Sequence, residues 1–184
     1  MWSKKDNKKT YFTEIYTQNF EYIYGYIFAR TAGNRELTEE IVQETFAAAW
    51  SAIDRFNGKS TYATWLCSIA KNKLRESYRK TIYREKLELS DRDKLEEYAD
   101  HFDLEKMVID NETRLYVLEV LESMNPLYRY ALIMKYIDGM SVKEISKVLG
   151  KTSKAIDGVL QRAKITFAKG YLSLEMKRND ENNE

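Results

Sequence analysis

Apolar residues recur at intervals of three and four along most of the chain, which is the spacing of one face of an α-helix. The first such stretch runs from Tyr11 to about residue 31, and the second covers residues 36–56. The third follows NGKST at residues 57–61, where the Asn-Gly pair favours a turn. Together they predict an N-terminal bundle of three amphipathic helices. The polar, basic residues before Tyr11 are predicted to form a frayed tail.

The same spacing returns in the C-terminal third of the chain. Leucines at positions 115, 118 and 121 predict a helix that ends at the Met-Asn-Pro sequence of residues 124–126. Asn125 suits the N-cap of the next helix, and Pro126 suits its first position. The C-terminal part of the chain is therefore also predicted to be helical.

Residues 141–164, SVKEISKVLGKTSKAIDGVLQRAK, have the pattern of a helix-turn-helix unit. Ser141 and Glu144 have the spacing of a capping box, and Gly150 suits the left-handed position that ends a helix. Ser153 is predicted to cap the longer helix that follows. In a helix-turn-helix protein this second helix enters the major groove of DNA. An ordinary helical hairpin, without any role in DNA binding, has the same pattern.

The composition supports helices throughout. Only seven of the 184 residues are glycine and one is proline, so helices meet few interruptions and sheet turns lack the residues they use. The chain is therefore predicted to be all-α.

Charge is balanced overall but divided unevenly along the chain. The 30 basic and 29 acidic residues nearly cancel, which argues against a protein that coats nucleic acid by bulk charge. Residues 71–84 hold six basic residues and one acid, whereas residues 85–112 hold eleven acids and four basic residues. We therefore predict two small helical domains, residues 1–84 and 111–184, joined by an acidic flexible linker at residues 85–110.

Several classes of function lack support in the sequence. The single cysteine, Cys67, excludes an intramolecular disulfide, and no apolar run reaches the roughly 18 residues of a membrane span. Cys67 and the single histidine, His101, are isolated, and there is no glycine-rich phosphate loop or metal-spaced cluster. We therefore predict a cytoplasmic protein that is not an enzyme, with no metal, no cofactor and no membrane insertion.

Three segments together resemble the extracytoplasmic-function sigma factors, the small two-domain specificity subunits of bacterial RNA polymerase. They are ELTEEIVQETFAAAW (36–50), TWLCSIAKNKLRESYRK (64–80) and YIDGMSVKEISKVLGKTSKAIDGVLQRAK (136–164), in the order and spacing of the family. The resemblance implies an N-terminal domain that recognises and opens the minus-ten promoter element and a C-terminal domain that reads the minus-thirty-five element. It also implies a linker that lies in the RNA-exit path of the polymerase.

The second helix carries the polymerase contact implied by the resemblance. Its residues match the family surface that binds the clamp of the largest polymerase subunit. The matching positions are Glu39, Glu40, Gln43 and Glu44. Thr38 stands where the family usually has alanine, and Glu40 where it usually has aspartate. Taken alone, this face favours a solvated acidic surface.

The NGKST loop and the third helix are the implied minus-ten site. The family uses the loop to capture a base flipped out of the non-template strand, and Phe56, Tyr62 and Trp65 are candidates to stack on unpaired bases. A core position is the alternative for Trp65. Polar and basic residues complete the candidate site. They are Asn57, Lys59, Ser60, Thr61, Lys71, Asn72, Arg75 and Arg79.

The second helix of the helix-turn-helix unit is the implied minus-thirty-five site. The candidate DNA-binding residues on it are Ser153, Lys154, Gln161, Arg162 and Lys164. Asp157, Gly158 and Val159 depart from the family, which commonly has positive charge here, so the DNA contact is expected to be weaker or differently specified.

The implied partners are core RNA polymerase, promoter DNA and an anti-sigma protein that holds the factor inactive. The alternative function is a stand-alone helix-turn-helix regulator that binds an operator as a dimer. That alternative explains the C-terminal domain and leaves the N-terminal domain without a role.

Overall fold

In a computed structural model the described residues are 4–86 and 111–181, and every regular element within these two ranges is helical. This confirms the predicted all-α class. The chain divides into two compact units, residues 1–77 and 78–184. The predicted domain borders at residues 84 and 111 stay predictions, and residues 87–110 of the predicted linker lie outside the described residues.

The first unit is built from three helices and one short turn. They are α1 (Lys4–Phe28), α2 (Arg35–Ala52), a 3₁₀ turn (Ile53–Arg55) and α3 (Tyr62–Lys86), whose last residues belong to the second unit. Its core is formed by the apolar faces expected from the sequence. The buried residues include Ile15, Ile23, Ile27, Ile41, Val42, Phe46, Ala49, Leu66, Ala70 and Leu74.

α2 begins at a cap that the sequence supplies. Asn34 accepts a hydrogen bond from the backbone nitrogen of Leu37 at 2.9 Å. Just before it, Ala32 and Gly33 have positive φ angles of 55° and 80°. These conformations end α1 and turn the chain into α2, as the Ala-Gly-Asn sequence suggests.

The prediction that the N-terminal residues form a frayed tail was wrong for residues 4–10, because α1 begins at Lys4. The Lys8 ammonium lies 2.5 Å from the Asp54 carboxylate and 5.0 Å from the centroid of the Trp50 ring. These two contacts attach the first turns of α1 to the end of α2 and the turn after it. The polar, basic sequence before Tyr11 does not indicate these partners, because they lie more than forty residues later in the chain.

The second unit contains the predicted helix-turn-helix. Its elements are α4 (Asn111–Ser123), α5 (Pro126–Leu132), a π-helical turn (Ile133–Ile137), α6 (Val142–Leu149) and α7 (Ser153–Glu181). α7 packs against α4, α5 and α6. A Cβ atom on Gly170 of α7 would lie 3.0 Å from Val120 Cγ1 of α4, so glycine permits this close approach.

Most of the helix caps are those that the sequence predicts. Asn125 caps α5 with Pro126 at its first position, Ser141 and Glu144 form a capping box at α6, and Gly150 ends α6 at φ 62°. The prediction that Ser153 caps α7 was wrong. The Thr152 hydroxyl accepts the hydrogen bond from Ala155 N, at 3.2 Å, so the cap lies one residue earlier.

Candidate functional sites

The exposed face of α2 brings together three of the four predicted polymerase-binding residues. Glu39, Glu40 and Gln43 are exposed. Glu44 is half-buried, and its carboxylate pairs with the Lys73 ammonium of α3 at 3.2 Å. The three exposed residues therefore form the available polar surface, whereas Glu44 also links α2 to α3.

The departure at Thr38 has a structural explanation. The Thr38 hydroxyl is fully buried, donates to the Asn34 carbonyl at 2.6 Å and lies 2.7 Å from the equally buried Thr31 hydroxyl. The alanine usual in the family has no hydroxyl to pair with Thr31. The threonine thus satisfies a buried polar contact between α2 and the end of α1 and does not alter the exposed face.

The loop at residues 57–61 is held in shape by its own side chains. Asn57 Oδ1 accepts from Lys59 N at 3.2 Å, Gly58 has a φ angle of 72°, and Thr61 Oγ1 accepts from Thr64 N at 3.2 Å. Lys59 and Ser60 are exposed at the top of this turn. The structure therefore places all four predicted loop residues together, with Asn57 and Thr61 shaping the loop.

Aromatic rings from separate elements contact one another beside this loop. The Phe56 ring centroid lies 4.7 Å from that of Tyr62 and 5.0 Å from that of Trp65. Tyr11 of α1 meets Tyr62 edge to face, with centroids 6.2 Å apart and the two hydroxyls in contact. We call these four residues the aromatic row. Sequence reasoning missed Tyr11, because no local signal joins it to residues about fifty positions later.

Two side chains of α3 have raised pKa values. The hydrogen bond with Tyr11 raises the pKa of the Tyr62 hydroxyl, with burial as a second cause. Farther along α3, burial raises the pKa of the half-buried Cys67 thiol, and the Arg30 charge and a hydrogen bond with Tyr22 only partly offset this rise. Neither group is ionised near neutral pH.

The predicted basic residues of α3 lie at intervals of four along the helix but differ in exposure. Lys71 and Arg75 are half-buried, whereas Asn72 and Arg79 are exposed. The Nε atom of Arg75 is buried, so part of its guanidinium faces the protein, whereas Arg79 presents its side chain to solvent.

The helix-turn-helix unit exposes most of the predicted minus-thirty-five residues. Ser153, Lys154, Gln161 and Lys164 are exposed, as is Asp157. Arg162 is half-buried, and its Nε donates to Tyr128 Oη at 3.1 Å. This places Arg162 against α5, in a position that its spacing along the helix does not reveal.

The described residues contain neither a candidate metal site nor a candidate membrane span. Within the described ranges, no group of three or more His, Cys, Asp or Glu side chains is arranged to hold a metal ion. No helix among them has the length and apolar content needed to cross a membrane. His101 lies outside the described residues.

Two family models match the chain in consecutive segments. Residues 15–81 match Sigma-70 region 2, and residues 114–166 match Sigma-70, region 4. The first match covers the C-terminal half of α1, all of α2 and most of α3. The second covers α5, α6 and most of α4, together with the first half of α7.

Individual relatives align with most of the chain. The chain is 32% identical over 142 residues to RNA polymerase sigma factor CnrH of Cupriavidus metallidurans, covering 74% of each chain. It is 26% identical over 159 residues to ECF RNA polymerase sigma factor BldN of Streptomyces coelicolor, covering 86% of this chain and 59% of BldN.

A similar solved structure is the sigma factor RpoE in complex with the anti-sigma factor NepR from Bartonella quintana. It is 17% identical to this chain and covers 86% of this chain and 95% of RpoE, with a TM-score of 0.44.

Proposed function

The chain belongs to the extracytoplasmic-function sigma factors of bacterial RNA polymerase, and we propose that its two units divide promoter recognition between them. The observation that carries the proposal is the order of the two matches, region 2 over the three-helix unit and region 4 over the helix-turn-helix unit. A stand-alone helix-turn-helix regulator does not require a region 2 domain, so the operator-binding alternative is not supported.

The α2 face is the proposed contact with core polymerase. Glu39, Glu40 and Gln43 are exposed together on a helix whose opposite face is buried in the core. A rigid helix presents these carboxylates and the amide in a fixed arrangement, which favours a specific basic partner surface. We assign that surface to the clamp of the largest polymerase subunit. The Glu44–Lys73 ion pair keeps α2 in register with α3, which carries the proposed DNA contacts.

The loop at residues 57–61 and α3 are the proposed minus-ten site. The loop offers an exposed ammonium at Lys59 and an exposed hydroxyl at Ser60, which suit hydrogen bonding to the edge of an unpaired base. Lys71, Arg75 and Arg79 follow on one side of α3, where positive charge neutralises DNA phosphates. Phosphate contacts of this kind position the strand, and base contacts in the loop specify the sequence.

α7 is the proposed minus-thirty-five site. Its first turn exposes Ser153 and Lys154, and Gln161 and Lys164 follow two to three turns later. In helix-turn-helix complexes, the N-terminal residues of the recognition helix contact the base edges. The exposed Asp157 carboxylate opposes phosphate binding nearby, which accounts for the weaker contact expected at this element.

We extend the proposal to the protein partners and the cellular compartment. An initiation factor of this kind acts with core polymerase in the cytoplasm, catalyses no reaction of its own and is held inactive by an anti-sigma protein. The acidic segment at residues 85–110 has the charge needed to occupy a basic channel built for RNA.

Transcription in vitro tests the proposed function. Core polymerase, the purified chain and genomic DNA of its host are combined, and transcript 5′ ends are mapped. We expect new start sites that require both proteins and share one sequence at minus ten and one at minus thirty-five. Start sites identical to those of core polymerase alone, together with operator-length DNA binding by the free chain, would support the stand-alone regulator.

A further inference from the structure

Tyr11 lies at the outer end of the aromatic row, although α1 is not expected to contact DNA. The row runs from Tyr11 through Tyr62 and Phe56 to Trp65, with centroid separations of 6.2, 4.7 and 5.0 Å. Tyr11 precedes residues 15–81, the segment that matches region 2. It therefore lies outside the segment that the family model covers.

Tyr11 is both accessible and held in place. Its side chain is 44% exposed. Its hydroxyl contacts the Tyr62 hydroxyl, and one turn earlier Lys8 is attached to Asp54 and to the Trp50 ring. An accessible aromatic ring in a fixed orientation loses little conformational freedom when a flat ligand stacks on it.

The surroundings of the row suit single-stranded nucleic acid. Tyr62 follows directly on the loop at residues 57–61, and Phe56 directly precedes it. The loop carries the exposed Lys59, and Lys9 is exposed on α1 two residues before Tyr11. Aromatic rings beside cationic side chains are the usual surface for unpaired bases, because every base has a π face and every nucleotide a phosphate.

We propose that Tyr11 stacks on an unpaired base of the non-template strand, next to the base that the loop captures. The inference rests on the proposed function and adds one contact to it, from α1. Stacking is tolerant of base identity, so Tyr11 would stabilise the opened strand without specifying its sequence. The loop would still read the captured base.

The test uses reconstituted holoenzyme and a single-stranded non-template oligonucleotide that carries the minus-ten sequence identified by transcription. Tyr11→Ala is expected to raise the Kd about 5- to 100-fold, the range typical for loss of one stacked base. The oligonucleotide is then made abasic at each position in turn. At the position that Tyr11 contacts, the abasic oligonucleotide should bind wild-type and Tyr11→Ala holoenzymes equally.

Two further variants separate stacking from support of Tyr62. Tyr11→Phe keeps the ring and removes the hydroxyl contact, so binding should stay within about threefold of wild type. Tyr16→Ala is the matched control, because Tyr16 is similarly exposed at 39% on the same helix but contacts Phe20 and Phe46 instead of the aromatic row. It should leave oligonucleotide binding unchanged.

Two results would overturn the inference. One is unchanged binding by Tyr11→Ala; the other is a loss that persists at every abasic position, which would mean that no base contact depends on Tyr11. Both are distinguishable from failure of the proposed function, because in each the wild-type chain still forms a holoenzyme that starts transcription. A wild-type chain that never binds core polymerase would overturn the proposed function itself.

Discussion

Arg162 of α7 donates a hydrogen bond from Nε to the Tyr128 hydroxyl of α5 at 3.1 Å. The bond crosses between a helix proposed to lie in the major groove and the helix that supports it. Arg162 is half-buried and Tyr128 is buried. The hydrogen bond gives Arg162 a second candidate role, which is to position the recognition helix, and its direct DNA contact stays a prediction.

Arg162→Ala is therefore expected to weaken promoter binding by a similar factor for every minus-thirty-five sequence. Removing the guanidinium should also cost about 1 to 3 kcal/mol of unfolding free energy, because it leaves the Tyr128 hydroxyl with one partner fewer. Mobility shifts with holoenzyme on a minus-thirty-five library, and thermal unfolding, measure the two effects. Lys169→Ala is the control, since Lys169 is an exposed basic residue on the same helix that is not assigned to the DNA site. A loss of promoter binding by Arg162→Ala that depends on the minus-thirty-five sequence would indicate that Arg162 contacts a base.

Two glycines in α7 allow a matched test of packing. At Gly158 a new Cβ would lie 3.4 Å from Arg162 Nη1, the end of a flexible side chain, whereas at Gly170 it would lie 3.0 Å from Val120 Cγ1. Both substitutions to alanine gain up to about 1 kcal/mol of helix propensity. Gly158→Ala should therefore raise the Tm, and Gly170→Ala should give a smaller rise or a fall, because α4 must move. Equal shifts would contradict the close α4–α7 contact.

The buried Thr31–Thr38 contact should be measurable as a coupling energy. Thr31→Val and Thr38→Val are each expected to cost about 0.5 to 1.5 kcal/mol, because the remaining hydroxyl loses one buried partner but keeps a backbone carbonyl. The double variant should cost less than the sum of the two. Urea unfolding of the wild type, the two single variants and the double variant gives the four unfolding free energies of this double-mutant cycle.

Thr45 provides the control for that cycle. It is equally buried on α2, and its hydroxyl has no hydrogen-bond partner among the described residues. Thr45→Val should therefore be neutral or stabilising. A loss as large as that of Thr38→Val would show that valine is poorly accommodated in this core, whatever the hydrogen bonding.

Substitutions on the exposed face of α2 should weaken polymerase binding without affecting folding. We expect Glu40→Lys combined with Gln43→Ala to weaken core polymerase binding strongly, because it reverses one charge and removes an amide on the exposed face. Surface changes usually alter stability by less than about 0.5 kcal/mol, so circular dichroism should barely change. Glu122→Lys, an exposed charge reversal on α4, is the control. Normal retention of the double variant on immobilised core would place the polymerase contact elsewhere.

The Cys67 thiol should react slowly with iodoacetamide, with a rate that rises with pH up to the alkaline range. Burial raises the pKa of the thiol, so less of the reactive thiolate is present at pH 8 than for an exposed cysteine. Because the Arg30 charge lowers this pKa, Arg30→Gln should slow labelling further, whereas Arg30→Lys should not. The unfolded chain gives the reference rate. Faster labelling of Arg30→Gln would mean that exposure of the thiol outweighs the change in charge.

The sequence by itself determined the helices, most of their caps and the family, whose region 2 and region 4 follow each other along the chain. Those features depend on neighbours a few residues away: Asn125 and Pro126 begin α5, Ser141 and Glu144 close the capping box, and Gly150 ends α6. The exposure of Glu39, Glu40 and Gln43 also followed from helical spacing, since a polar face opposite an apolar one points to solvent. Local periodicity therefore carried most of the secondary structure and much of the candidate interfaces.

Only the tertiary structure decided which of the predicted side chains are engaged within the protein. Glu44 pairs with Lys73, Arg162 bonds Tyr128, and Lys8 is attached to Asp54, each across a gap of 29 to 46 residues along the chain. Tyr11 likewise joins the aromatic row only through Tyr62, 51 residues later. Spacing along one helix gives the direction of a side chain, but the partner it meets depends on how separate helices pack.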